Sequence, residues 1–202
     1  MKKTINSRPL FCRVFTIISA IVFLLNMDIQ SSAQRPSAPS AQKTPAAIRQ
    51  MPEIAYTVSM SKPATHLLEV EMRLKYSSPA DTVELKMPVW TPGSYLIREY
   101  ARHVQDFAVS SGAGQPLKWE KINKNTWKIE AKSNKEIVIS YRVYANELTV
   151  RTNELNDEHA FWNNAALLMY PKDGLAAPST VKVIPYGNWK VATGLPRLPG
   201  EE

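Results

Sequence analysis

The sequence predicts an all-β protein, an antiparallel β-sandwich preceded by a signal peptide and a disordered linker. Three observations support this fold class. From Ile54 onward, hydrophobic and polar residues alternate with a period of two, which is typical of strands that bury one face. The alternating runs recur at intervals of about ten residues with polar turns between them, as in β-sandwiches. No window after the signal keeps an apolar stripe at the 3.6-residue spacing of an amphipathic helix.

Residues 1–33 have the pattern of a secretory signal peptide. A basic start is followed by a mainly apolar run over residues 14–25, which is too short to span a bilayer comfortably. Small residues at 31–33 predict cleavage after Ala33, and the alternative is an uncleaved anchor or a chance likeness to a signal. We therefore expect a protein that is exported to the periplasm or secreted, with no stable membrane anchor after cleavage.

The charge and the cysteine content exclude several classes of protein. The predicted signal carries four Lys or Arg and one Asp, so its removal lowers the formal net charge from +7 to +4. The remaining charges alternate in sign along the strands and form no basic stripe, so we expect no nucleic-acid partner. The one cysteine, Cys12, lies within the signal, which leaves the mature chain without a disulfide, a cysteine zinc ligand or a cysteine nucleophile.

Residues 34–50 are rich in Pro, Ala, Ser and Gln and have no apolar period, which predicts a disordered linker. The folded domain is then expected over residues 51–202. A domain of about 150 residues buries roughly 68 to 70 % of the surface that its unfolded chain exposes, which is enough for a core without disulfides.

The clearest strand signal lies at residues 66–76. Its alternate hydrophobic residues are Leu68, Val70, Met72, Leu74 and Tyr76. Residues 81–90 repeat the pattern, and Pro88, which has no amide donor, predicts a strand end or a sheet edge there. A hairpin is predicted where residues 117–122 and 126–131 flank the polar turn Asn123-Lys124-Asn125. Further strands are expected at 104–110, 136–145, 148–152, 160–170 and 180–186.

The densest run of functional side chains is WTPGSYLIREYARHV, residues 90–104. Pro92 and Gly93 predict a tight turn directly after a strand. The candidate cleft or domain-interface residues are Tyr95, Arg98, Glu99, Tyr100 and Arg102. So many functional groups on one rigid turn favour a recognition surface or a domain contact. The alternative is a solvated loop, in which Glu99 and Arg102 form an i,i+3 pair worth only about 0.2 to 0.5 kcal/mol.

This run, together with LTVR at 148–151 and HAFWNNA at 159–165, resembles the N-terminal β domain of the glycyl aminopeptidase family of zinc metallopeptidases. In that family the domain precedes a thermolysin-like catalytic domain, often with a PDZ domain after it. The resemblance covers roughly residues 51–202 and assigns no catalytic residue to the turn. It implies a truncated or split chain whose partner is a metallopeptidase catalytic domain, in cis or separate, with peptide substrate contacted only indirectly.

The sequence offers no site for zinc catalysis. A peptidase of this type needs HExxH on a helix, and the motif is absent. The three histidines, His66, His103 and His159, are far apart, and the acidic stretch 153–159 lacks the ligand spacing of an EF-hand loop. We therefore expect no catalytic residue, no metal and no cofactor in this chain, with zinc confined to the absent catalytic domain.

Two functions of different class follow from these observations. The first is the noncatalytic N-terminal domain of an exported glycyl-aminopeptidase-like zinc enzyme, which packs on the catalytic domain and helps to shape its cleft. The second is a freestanding exported β-sandwich that binds a protein or carbohydrate ligand. Its binding surface would be the turn at 90–104 or a platform of tryptophans, Trp90, Trp119, Trp127, Trp162 and Trp189. An HExxH motif in the downstream coding sequence would favour the first function.

Overall fold

The computed structural model describes residues 51–199. The predicted signal at 1–33 and the predicted linker at 34–50 lie outside these residues. Within the described part, the elements in chain order are β1 (Glu53–Ser59), β2 (Leu67–Lys86), β3 (Val104–Ser111), β4 (Trp119–Asn123), β5 (Thr126–Tyr144), β6 (Glu154–Leu155), β7 (Ala160–Phe161), the short helix α1 (Asn164–Leu167), β8 (Tyr170–Pro171) and β9 (Ser179–Ile184). Two 3-10 helices lie at Pro63–Thr65 and Tyr100–His103. The predicted all-β class is confirmed.

β2 and β5 form the central ladder of the sheet. They are 20 and 19 residues long and pair antiparallel along most of their length. The register shifts near the middle of this ladder, between Lys75 and Thr82. On the facing strand, Lys132 and Ser133 have positive φ angles of 48° and 59°. Irregularities of this kind bend a strand and break its pairing locally.

The bend brings the two halves of the sheet face to face. The ring of Phe107 in β3 lies 5.3 Å from that of Trp127 and 6.4 Å from that of Tyr141, both in β5. A straight strand would separate residues 127 and 141 by about 46 Å, at about 3.3 Å per residue. β5 must therefore fold back so that both of its arms contact one ring, which produces the two layers of the predicted sandwich.

Neighbouring strands complete each half of the sheet. β1, β3 and β9 extend the half that contains the start of β2 and the end of β5, in the order β3-β5-β2-β1-β9. β4 pairs with the start of β5, and β8 pairs with the end of β2. The pairing of β9 with β1 is parallel, so the sheet is mixed rather than wholly antiparallel. The chain returns to β1 only after a long crossover, which is what a parallel pair requires.

The core follows the predicted alternation along β2. Leu68, Val70, Met72 and Leu74 are all at most 3 % exposed. Two buried tyrosines add polar contacts: the Tyr141 hydroxyl donates to the Leu167 carbonyl at 2.9 Å, and the Tyr56 hydroxyl donates to the Met169 carbonyl at 2.5 Å. Burial raises the pKa of Tyr56 to about 12. These bonds attach the segment around α1 to the core.

The predictions of separate strands at 66–76 and 81–90 are wrong in one respect. β2 continues through both runs as a single bent strand. It ends at Lys86, two residues before Pro88, as the missing amide donor of the proline leads one to expect.

The strand prediction at 148–152 is wrong, and the prediction at 160–170 is correct only at its two ends, β7 and the start of β8. Residues 148–152 form a turn, in which the Thr152 hydroxyl bonds to the Glu147 carbonyl at 2.6 Å and to the Thr149 hydroxyl at 2.7 Å. Hydroxyls that bond to the local backbone in this way compete with a strand ladder. Within 160–170, α1 interrupts the extended chain, and the Asn163 side chain caps it by accepting the Ala165 amide proton at 3.0 Å.

Candidate functional site

The segment 90–104 connects β2 to β3 and forms the tight turn that the sequence predicts. Gly93 has a φ of +81°, which glycine adopts without strain. The Ser94 amide donates to the Thr91 carbonyl at 3.0 Å, and the Trp90 indole donates to the Ser94 carbonyl at 2.7 Å. The Pro-Gly turn is therefore closed by its own hydrogen bonds and holds the residues after it in place.

Three consecutive large apolar side chains follow the turn and face solvent. Tyr95 is fully exposed, Leu96 is 61 % exposed and Ile97 is 71 % exposed. We call these three residues the apolar tip. Single exposed hydrophobic residues are common, but a contiguous group on an ordered turn is typical of a surface that contacts a partner.

Arg98, which directly follows the apolar tip, is half-buried, and its side chain has no partner among the described residues 51–199. Its amide donates to the Val89 carbonyl at 2.7 Å, so its backbone is fixed. Its Nε is completely buried and unbonded, and no ion pair or hydrogen bond joins its guanidinium to any other residue of the range 51–199. The cationic group is thus held at the surface without an acceptor.

Glu99, by contrast, already has a partner. The Lys124 ammonium donates to its carboxylate at 2.7 Å, and both side chains are exposed. This hydrogen bond and the charge of Lys124 lower the pKa of Glu99. An exposed pair of this kind adds little to stability, but it leaves the carboxylate charge-balanced.

Tyr100 and Arg102 lie on the 3-10 helix that follows. Tyr100 is only 4 % exposed, and its hydroxyl is buried without a hydrogen-bond partner. Arg102 is exposed, and its Nε donates to Nε2 of His103 at 3.1 Å. Burial and the positive charge of Arg102 lower the pKa of His103, while Glu147 acts in the opposite sense. Of the five candidates, Tyr100 is therefore buried, and the other four reach the surface.

The other two sequence runs that carry the family resemblance connect to this helix through α1 and its N-cap. The run 159–165 overlaps the start of α1, and α1 packs against the 3-10 helix. The Asn163 side chain donates to the Val150 carbonyl at 3.1 Å and so holds the turn that contains the run 148–151. Leu148 and Val150 on that turn are 60 % and 75 % exposed. The tertiary structure thus brings together three runs that are far apart in the sequence.

The described residues do not fit a zinc site. Within 51–199, no three His, Cys, Asp or Glu side chains come together as a metal-binding group would require. Each histidine has a different neighbour: His66 Nδ1 donates to the Leu155 carbonyl at 2.5 Å, His103 accepts from Arg102, and His159 lies 3.3 Å from Glu154. The acidic stretch 153–159 forms most of the β6–β7 hairpin. There the Asn156 side chain accepts two backbone amide protons.

Sequence reasoning missed a cleft near the C-terminal end of β9. It has a volume of about 260 Å³. Met60, Trp162, Val183 and Trp189 form apolar parts of its wall, with His159 among its polar residues. The tryptophans do not form one platform, because Trp119 and Trp127 pack on Phe107 instead.

Among the residues that the structure describes, no helix has the length and hydropathy needed to cross a membrane.

Comparison with known proteins identifies similar sequences and structures. Residues 55–202 match the family model described as the Peptidase M61 N-terminal domain. The crystal structure of an aminopeptidase N family protein from Idiomarina loihiensis is similar, with a TM-score of 0.67 and 33 % sequence identity over 73 % of this chain. The match covers 25 % of that protein, so the chain spans about a quarter of its length.

A second similar structure is an M1 zinc metallopeptidase from Deinococcus radiodurans. It has a TM-score of 0.40 and 13 % identity, over 66 % of this chain and 31 % of that one. Among curated proteins, none matches this chain.

Proposed function

Because the chain belongs to the family of peptidase M61 N-terminal domains, we propose that it is the noncatalytic N-terminal domain of an exported, glycyl-aminopeptidase-like zinc metallopeptidase. In this role it packs on the catalytic domain, in cis or as a separate chain, and helps to shape the substrate cleft. The zinc and the catalytic residues belong to that catalytic domain. The observation that carries the proposal is the ordered turn at 90–104, which presents an unburied apolar tip beside an unpaired cation.

The chemistry of the turn suits a protein interface. Tyr and Arg are enriched at the cores of such interfaces, where apolar contact and a few directed polar bonds coincide. Leu148 and Val150 add exposed apolar area on the neighbouring turn. A role for Glu99 in binding the amino group of a peptide substrate would require that group to displace Lys124. Substrate contact through this domain is therefore indirect in our proposal.

An association experiment tests the proposed packing. The chain from residue 34 is mixed with the Idiomarina loihiensis protein from which the matching quarter has been deleted, and binding is measured by calorimetry. We expect a complex, and we expect Leu96→Ser with Ile97→Ser to weaken it at least about tenfold, or about 1.4 kcal/mol, because the apolar tip loses its buried contacts.

Leu175→Ser provides the matched control. Leu175 is 78 % exposed and lies on the loop between β8 and β9, outside the turn. Its replacement should leave the affinity unchanged. Absence of any complex, or an equal loss from the Leu175 variant, would contradict packing through the turn.

The cleft beside β9 favours the alternative function, a freestanding binding module for a protein or carbohydrate ligand. Clefts lined by aromatic and aliphatic side chains with a few polar groups are typical of small-molecule sites. Saturable quenching of tryptophan fluorescence by a chito-oligosaccharide, lost in Trp162→Ala and in Trp189→Ala, would support this second function. Unchanged fluorescence in all three proteins would count against a carbohydrate ligand.

A further inference from the structure

The stretch 98–100 concentrates unsatisfied polar atoms. Within the range 51–199, three buried side-chain atoms have no hydrogen-bond partner, and two of them are Nε of Arg98 and the hydroxyl of Tyr100. Folded proteins pair nearly all of their buried polar atoms, so each exception asks for an explanation. Both atoms lie within three residues of the apolar tip, so the unbonded polar atoms and the exposed apolar side chains occupy one short stretch of the chain.

Arg98 differs from the other cations around it. Lys124 bonds to Glu99, and Arg102 bonds to His103. Among residues 51–199, Arg98 has neither an acid nor an acceptor, although most of the residue is already withdrawn from water. Its conformational freedom is reduced by this burial and by the bond from its amide to the Val89 carbonyl. A restrained guanidinium has less rotamer freedom to lose when an acceptor binds.

We propose that Arg98 receives a carboxylate, the side chain of a Glu or Asp on the catalytic domain, while the apolar tip packs around that contact. This inference rests on the proposed function, because it names the group that the turn recognises. The planar guanidinium can donate two parallel hydrogen bonds to a carboxylate, and this geometry is specific as well as strong. Tyr95, Leu96 and Ile97 exclude water from the contact, which strengthens the electrostatic attraction.

The charge pattern favours an acidic side chain over other acceptors. A backbone carbonyl would satisfy one donor but would leave the positive charge uncompensated in the closed interface, which is unfavourable. Glu99 cannot supply the charge while it is paired with Lys124. A carboxylate from the partner supplies both the acceptors and the charge.

The test uses the isolated chain and therefore needs no catalytic domain. N-acetylglutamate N-methylamide is titrated into the labelled chain at constant ionic strength, and NMR follows the Arg98 Nε signal and the amides of residues 95–99. We expect a saturable shift in the range of roughly 1 to 100 mM, which corresponds to weak binding. The glutamine analogue of the probe has the same shape without the charge and should bind at least about tenfold more weakly.

Two variants test whether the carboxylate probe binds specifically at Arg98. Arg98→Lys keeps the positive charge but lacks the planar fork, and it should weaken binding several-fold with an unchanged NMR fingerprint elsewhere. Arg151→Lys is the control, because Arg151 is an exposed arginine on the turn at 148–152. Its replacement should leave the shifts of residues 95–99 unaffected.

The outcomes separate this inference from the proposed function. No shift at the highest concentration, equal binding of the neutral analogue, or equal loss in the Arg151 variant would overturn the carboxylate site. Association with the peptidase remainder could still occur in that case, through the apolar tip alone. Carboxylate binding without association would instead support the site while contradicting the packing.

Discussion

Buried side chains in this protein differ in how many of their polar atoms form hydrogen bonds. Tyr141 is fully buried, and its hydroxyl both donates to the Leu167 carbonyl and accepts from the Met169 amide, at 2.9 and 3.1 Å. Arg98 and Tyr100 retain unbonded polar atoms. A buried polar group without a hydrogen-bond partner is unfavourable. We therefore expect fully bonded residues such as Tyr141 to stabilise the domain, and the turn that contains Arg98 to bind the partner of the domain.

Tyr141→Phe tests the stabilising role of the buried hydroxyl. The change removes one hydrogen bond in each direction and leaves the Leu167 carbonyl without a bond from this hydroxyl, so we expect a loss of about 1 to 3 kcal/mol in the free energy of unfolding. Urea denaturation measures the change as a lower midpoint at a constant slope. Tyr144→Phe is the control, because Tyr144 is exposed, and it should change stability by less than about 0.5 kcal/mol.

His103 predicts a pH dependence of stability. Burial and Arg102 lower its pKa in the folded chain, so the unfolded chain binds more protons between the two pKa values. Stability therefore falls as the pH drops below about 6.5, and this loss is complete once the pH is below the folded pKa. Melting temperatures measured from pH 8 to pH 5 should show the loss. His103→Gln should remove this contribution, and an identical profile in both proteins would contradict the role of His103.

At the level of elements, the bend shared by β2 and β5 decides the architecture. Lys132 and Ser133 adopt positive φ angles on β5, and the Ser133 hydroxyl donates to Asp81 on β2 at 2.7 Å. Residues with a Cβ enter this backbone region at a cost of about 1 to 3 kcal/mol, and they stay there only where the surrounding structure holds them. The tertiary contacts of the two layers therefore outweigh the local preference of both residues.

The substitution Lys132→Val tests the conformational cost of the positive φ angle at residue 132. A β-branched residue is strongly disfavoured at positive φ, so we expect the free energy of unfolding to fall by about 1 to 2 kcal/mol. Lys132→Gly should be close to neutral, because glycine adopts the same angle freely but loses more backbone entropy on folding. Lys135→Val serves as the matched control on the same strand, where φ is negative. A larger loss from Lys135→Val than from Lys132→Val would contradict the importance of the bend.

For the whole molecule, we predict that the chain from residue 34 binds no stoichiometric zinc and does not cleave glycyl or alanyl chromogenic substrates. Zinc catalysis requires about three protein ligands and an open position for water. Metal analysis after dialysis and a peptidase assay check the prediction. One tightly held zinc together with chelator-sensitive release of an N-terminal glycine would contradict it, and His159 with Glu154, Asp157 or Glu158 would then be the first residues to replace.

The structure confirms the tight turn that the sequence predicts at Pro92-Gly93. The Pro92-Gly93 turn and its cluster of functional side chains were recognisable because turn chemistry is local. The pairing of Glu99 with Lys124, which is 25 residues away, had no sequence signal. The same holds for the burial of Tyr100 and the unbonded Arg98, because burial and partners depend on which distant segments pack together.

The sequence by itself determined the strand class, the buried face of β2 and the family, since alternation and motif identity are properties of neighbouring residues. Only the tertiary structure decided that residues 66–90 contain one bent strand, that β9 joins β1 in parallel, and that the runs at 90–104, 148–151 and 159–165 are linked through α1 and its N-cap Asn163. The physical reason is that bringing distant segments together requires long loops to close, which no local pattern specifies. A local pattern specifies which side of a strand is apolar, whereas contacts between distant segments are selected by the packing free energy of the whole core.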